Sequence, residues 1–95
     1  MKYLEKLEYS DSEINETLKC ISPDILELLE NNHLLVEANL LFLKELGISN
    51  YKQIFSKYYD MFLLDNNTFS SIFNKYDPSD LKIKLNNNLN IIEIL

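Results

Sequence analysis

One histidine and one cysteine set the limits of nucleophilic chemistry in this chain. A Ser-His-Asp or Cys-His arrangement can be built only around His33. His33 follows Asn31 and Asn32 at what reads as a helix start, which makes it a partly exposed helix-start residue. Cys20 lies between Leu18 and Ile21 near the end of an amphipathic stretch. A reactive thiolate wants neighbouring positive charge, and only Lys19 offers any. The spacing therefore gives Cys20 the role of a small buried hydrophobe. A structural zinc site needs four ligands of types this chain supplies once each, and EF-hand spacing of acids is absent. With one glycine, Gly47, there is no Gly-rich loop to cradle a phosphate. Carboxylate pairs such as Glu13 with Glu16 sit on a helix with no pocket motif around them and read as a solvated face. The sequence points away from an enzyme, a metal or a cofactor.

Two binding chemistries remain. The first is acidic: Glu5, Glu8, Asp11, Glu13 and Glu16 form a cluster able to steer a basic partner. The second would use Lys44, Lys52, Lys57, Lys75, Lys82 and Lys84 on a nucleic acid, with aromatic rings stacked on single-stranded bases. Nine of the eleven aromatics fall between Phe42 and Tyr76, but their helical spacing assigns them to a core, with Tyr59 and Tyr76 nearest the surface. Charge decides between the two. Nine lysines face fifteen acids, no arginine occurs, and the net charge is −6. Residues 1–46 carry four lysines and ten acids, a net of −6, whereas residues 47–95 carry five of each. Polyanions are normally met by clustered Lys and Arg, so nucleic acid and anionic membrane surfaces are both disfavoured.

The elements that must position these residues are helical. Ninety-five residues suit one domain, spanning 1–95. A hydrophobic share of 46% is enough for a core, and two prolines and one glycine are too few for the turns of a β-sandwich. Residues 2–8 read as the end of a helix. Ser10-Asp11-Ser12-Glu13 fits a capping box opening a helix through Ile14, Leu18 and Ile21, which Pro23 ends. Residues 33–46 are apolar around most of the circumference and predict the central helix, capped by Asn31 or Asn32 and stopped by Gly47. Further helices are expected from Ser49, from Asn66, Asn67 or Thr68, and from Ser79 after Asp77-Pro78.

A short apolar phrase recurs three times: Asp24-Ile25-Leu26-Glu27-Leu28-Leu29, Asp60-Met61-Phe62-Leu63-Leu64-Asp65 and Asn90-Ile91-Ile92-Glu93-Ile94-Leu95. The offsets, 36 and 30 residues, suit stacked helical repeats. The first phrase is too short for an ordinary helix and is expected to form one or two tight turns of 3₁₀ type. A second echo pairs Tyr3-Leu4-Glu5-Lys6-Leu7 with Phe42-Leu43-Lys44-Glu45-Leu46. The expectation is an all-α, short helical-repeat stack of about two and a half helix–turn–helix units.

Leu43-Lys44-Glu45-Leu46-Gly47-Ile48-Ser49 resembles the junction motif of mTERF repeats, the repeats of the mitochondrial transcription termination factor family. The order helix, proline, short apolar turn, helix from Ser10 through Pro23 to Leu46 is similar too. The family's proline is Pro23 in the first copy but Tyr59 and Leu89 in the others. The resemblance implies triangular helical units stacked in a curved solenoid, and nucleic-acid binding along a basic concave face.

The third phrase lacks a helix to cover it, so Ile91, Ile92, Ile94 and Leu95 should fold back on the preceding helix or meet a second copy. With no disulfide possible and no apolar leader after Met1, the expected setting is cytoplasmic and reducing. The function expected is non-enzymatic protein binding, as an adaptor, regulator or inhibitor of a basic or nucleic-acid-binding partner. Direct nucleic-acid binding by an mTERF-like regulator is the alternative.

Overall fold

The apolar phrases that look alike do not fold alike. The computed structural model describes residues 2–95. Six α-helices occur among them: α1 (Asp11–Cys20), α2 (Pro23–Asn31), α3 (His33–Leu46), α4 (Tyr51–Lys57), α5 (Asn66–Asn74) and α6 (Pro78–Asn87). Three 3₁₀ segments join them, Lys2–Leu7, Tyr59–Leu63 and Leu89–Ile94. No strand is present among the described residues, so the fold is all-α. The second and third phrases fall largely within 3₁₀ segments, whereas the first, expected as tight 3₁₀ turns, does not. The first lies within α2, an α-helix of nine residues. Residues 2–7 are likewise a 3₁₀ segment rather than the end of an α-helix.

Proline explains the first difference. Pro23 occupies the first turn of α2, where its missing N–H costs nothing and its fixed φ favours the helix. It starts α2 rather than ending α1, which stops at Cys20 before the extended Ile21. Pro78 does the same for α6, behind the N-cap Asp77, whose carboxylate accepts from the Asp80 N–H at 3.1 Å. Other caps also shift from the expected residue. Asp65, not Asn66, Asn67 or Thr68, caps α5, accepting from the Thr68 N–H at 3.1 Å and its hydroxyl at 2.6 Å. Asn50 precedes α4, because both polar groups of Ser49 turn to the Asn86 Oδ1 at 2.9 Å. The Ser10–Glu13 capping box forms as read, with bonds of 2.9 and 3.2 Å.

The echo between residues 3–7 and 42–46 marks two chain reversals built alike. At the first, the Tyr9 N–H donates to the Leu4 carbonyl at 3.2 Å and the Glu8 N–H to Glu5 at 3.3 Å. At the second, Ile48 donates to Leu43 and Gly47 to Lys44, both at 3.1 Å. This pair of bonds is the Schellman ending, which needs a left-handed residue between the partners. Gly47 supplies it at φ 91°, and Glu8 supplies it at φ 67°. The Tyr51 hydroxyl donates to the Leu7 carbonyl at 2.6 Å and ties the first reversal to α4.

α3 is the central helix. It packs against α2, α4, α5 and the 3₁₀ segments 2–7 and 59–63. Its Val36, Leu40 and Leu43 are completely buried, together with Leu4, Leu29, Ile54 and Leu85. Phe55, Phe62, Phe69 and Phe73 fill the space between α4, α5 and the middle segment, with successive ring centres 5.0–5.1 Å apart. Each such buried ring contributes about 2–3 kcal/mol by area alone. Those phenylalanines are core, and their rings are not offered to bases. Asn39 is buried among them. Its amide donates to the carbonyls of Phe62 at 3.0 Å and Leu64 at 2.8 Å, and its oxygen accepts from Asn66 at 3.0 Å. One α3 side chain thus holds the end of a 3₁₀ segment whose carbonyls lack helical partners.

Candidate interaction surface

Of the five acids of the N-terminal cluster, three line two separate clefts. Glu13 and Glu16 line a cleft of about 330 Å³ between α1 and α4, with Tyr9, Lys52 and Ser56. Glu5 lines another, of about 430 Å³, between the first 3₁₀ segment and α3. Asp11 is exposed at the start of α1. Three of the five have partners already, Glu16 the most loosely, 3.7 Å from the Lys19 ammonium. Glu8 sits 3.3 Å from the Lys44 ammonium. Both Glu13 oxygens accept from Lys52 at 3.1 Å, and Oε1 also accepts the Ser10 N–H. That N–H first, and Lys52 second, hold the Glu13 carboxyl below the usual Glu range.

Lys52 is a structural hub. Its ammonium donates to the Glu8 carbonyl at 2.7 Å and stands 5.2 Å from the Tyr9 ring centre. The other lysines scatter. Lys57 bonds Asn90 and lies over the Tyr58 ring. Lys82 lies against Gly47, while Lys84 lines a C-terminal cleft with Asp77 and Asp80. Lys75 is exposed beyond α5. Lys52 and Lys84 thus line different clefts, and Lys44 and Lys52 are each matched by a carboxylate.

The C-terminal 3₁₀ segment folds back. Ile91, Ile92 and Leu95 pack against the core, and Tyr58 donates to Glu93 at 2.8 Å. Ile94 alone of the four stays outside, 78% exposed. Cys20 is also exposed, contrary to the buried role its neighbours suggested, because α1 ends there and only Ile21 turns inward. His33 is exposed and stacks beside Tyr3, its Nδ1 3.9 Å from Glu37. Among the described residues no group of three His, Cys, Asp or Glu could hold a metal ion, and no helix is long and apolar enough to cross a membrane.

The surface that sequence reasoning missed lies on α3. Leu34, Ala38 and Leu41 follow one another at i, i+4 and i+7 and remain in solvent, Leu34 at 73% and Leu41 at 41%. They line a cleft of about 290 Å³ together with Leu7 and Glu37. This cleft shares Lys6, Leu34 and Glu37 with the larger one, so the two run together as one groove. At the far end stands Tyr3, whose hydroxyl is buried and meets no hydrogen-bond partner among the described residues. Burial first, and the nearby Glu30 and Glu37 second, push its phenol well above the ordinary range. The signal was available as apolar residues around the whole of α3. What it could not reveal was which of those faces the rest of the chain would leave uncovered.

Comparison with protein-family models, with curated proteins and with solved structures yields no match.

Proposed function

We propose that the protein is a non-enzymatic protein-binding module, an adaptor, regulator or inhibitor whose acidic half meets a basic partner. The observation that carries this reading is the bookkeeping of charge in space. Lys44 and Lys52 are committed to Glu8 and Glu13 and Lys19 stands beside Glu16, while Glu5, Asp11, Asp24 and Glu27 stand exposed. The side of the molecule formed by residues 1–46 therefore projects negative potential, which accelerates encounter with a cationic surface and repels a polyanion. Blocking the basic site of a nucleic-acid-binding protein is one use of such a surface. In this reading the protein acts as a single domain in a reducing, intracellular setting.

Direct nucleic-acid binding is the second reading. It is favoured by the order of two α-helices followed by a 3₁₀ segment, met twice between His33 and Ile94, which agrees with an mTERF-like repeat. It would rest on Lys57, Lys75, Lys82 and Lys84. Mobility shift at low salt separates the two readings. The first expects salt-sensitive binding of a polylysine and no shift of duplex or single-stranded nucleic acid at micromolar protein. Micromolar nucleic-acid binding that weakens steeply with salt would overturn it.

A further inference from the structure

The geometry points to the groove between the 3₁₀ segment Lys2–Leu7 and α3 as the docking site for a basic amphipathic helix of a partner protein. Its apolar stripe covers Leu34, Ala38 and Leu41, and a lysine or arginine on its flank reaches Glu37 beside Tyr3. The inference rests on the protein-binding reading and assigns that reading a place and a kind of partner.

The shape of the surface selects a helix. Residues spaced i, i+4 and i+7 form a straight ridge about 10 Å long, two turns of α3. A partner helix reads such a ridge with its own i, i+3, i+4, i+7 anchors. The apolar floor is real surface: Leu34 is more exposed than any other leucine among the exposed large hydrophobics. Folding leaves it bare, since among the described residues no other element covers that side of Leu34.

Charge selects the sign of the partner. Among the described side chains, Glu5, Glu30 and Glu37 line the groove together with Lys6 and His33, both of which stand near Glu37. Lys6 is bound loosely, 3.7 Å from Glu37 with its own side chain 76% exposed. An exposed pair of this kind contributes about 0–1 kcal/mol and yields easily to a better-placed cation. A second copy of this chain would bring another six net negative charges to the same edge, and an anionic membrane would be repelled as well. A basic segment meets both the apolar floor and the acidic border.

Tyr3 selects the contact. Among the described residues, its hydroxyl is the one polar side-chain atom of the groove that is buried with no partner. A phenol between two carboxylates can accept an N–H from a guanidinium or ammonium and donate to a carbonyl. Arginine, with five donors in a planar fork, could bond Glu37 and the Tyr3 oxygen together.

The test uses the full chain and a fluorescein-labelled helical peptide with leucines at i, i+3, i+4 and i+7 and lysine or arginine elsewhere. Fluorescence anisotropy should show micromolar binding. A peptide of the same composition in scrambled order, or with glutamates for the cations, should bind about tenfold more weakly or less. Leu34→Ser should weaken binding by about tenfold, the cost of one unburied leucine contact. Ala38→Lys places bulk and like charge in the groove and should abolish binding. Both positions are exposed, so circular dichroism and the thermal midpoint should match the parent. Glu37→Gln should weaken binding and flatten its salt dependence. No binding of the peptide, or binding indifferent to Leu34→Ser and Ala38→Lys, overturns the docking site. If polylysine still binds in that case, the acidic-surface reading stands without the groove. If nucleic acid binds instead, that reading falls as well.

Discussion

α3 buries Val36, Leu40 and Leu43 completely, while Leu34, Ala38 and Leu41 on the opposite face stay in solvent. The residue types are nearly the same on the two sides. The inner face meets α2, α4, α5 and the middle 3₁₀ segment and supports the fold. Among the described residues the outer face meets the edge of the first 3₁₀ segment, through Leu7 and the loose Lys6–Glu37 pair. Hydrophobicity alone therefore does not mark core in this helix. What separates the faces is whether another element arrives to cover them.

Identical substitutions on the two faces give the sharpest contrast. Leu40→Ala removes a fully buried side chain and should cost about 2–5 kcal/mol in urea unfolding. Asn39→Leu keeps the branched shape but leaves the Phe62 and Leu64 carbonyls without donors. It should cost about 2–3 kcal/mol and loosen the middle segment, seen as faster amide exchange there. Gly47→Ala forces a Cβ onto a residue at φ 91°, and about 1–2 kcal/mol should be lost. The matching change at the other reversal, Glu8→Gly, should add roughly 0.5 kcal/mol, because the chain there already holds a non-glycine at φ 67°. Leu34→Ala, by contrast, should lie within about 0.5 kcal/mol of the parent. A large loss at Leu34 would erase the distinction between the faces.

Acid should act on caps and bridges rather than on either face. Glu13 and Asp65 have carboxyls held below their ordinary values of 4.5 and 3.8, Glu13 by the Ser10 N–H foremost and Asp65 by the Thr68 hydroxyl. A depressed value means the ionised form favours the fold. Their contribution is therefore complete at neutral pH and fades as pH falls below those ordinary values through the folded ones. Thermal midpoints measured across that range should decline, and the decline should be shallower in a Glu13→Gln, Asp65→Asn variant.

Much of the fold can be read from particular residues. The all-α class follows from one glycine and long apolar periodicity, the central place of α3 from its all-round hydrophobicity, and the reversal at Gly47 from the lone glycine. The capping box at Ser10 and Glu13 is legible because both its residues are local. Pro23 is ambiguous in sequence, since a proline ends one helix and suits the first turn of the next with equal ease. The apolar phrases mislead because 3₁₀ and α segments share composition; only the proline ahead of the first, and the carbonyl clamp of Asn39 on the second, tell them apart. The reversal at Glu8 was hidden because glutamate does not announce a left-handed backbone. The groove was hidden for a different reason: Tyr3, Glu30, Glu37 and Leu34 come from three elements, and only their packing brings them together.

Mapping the bound peptide onto the isotope-labelled chain by backbone amide chemical shifts tests the central claim most directly. The account predicts shifts concentrated at Tyr3, Lys6, Leu34, Ala38 and Leu41, with α5 and α6 unmoved. Shifts confined to residues 47–95, with those positions silent, would contradict it.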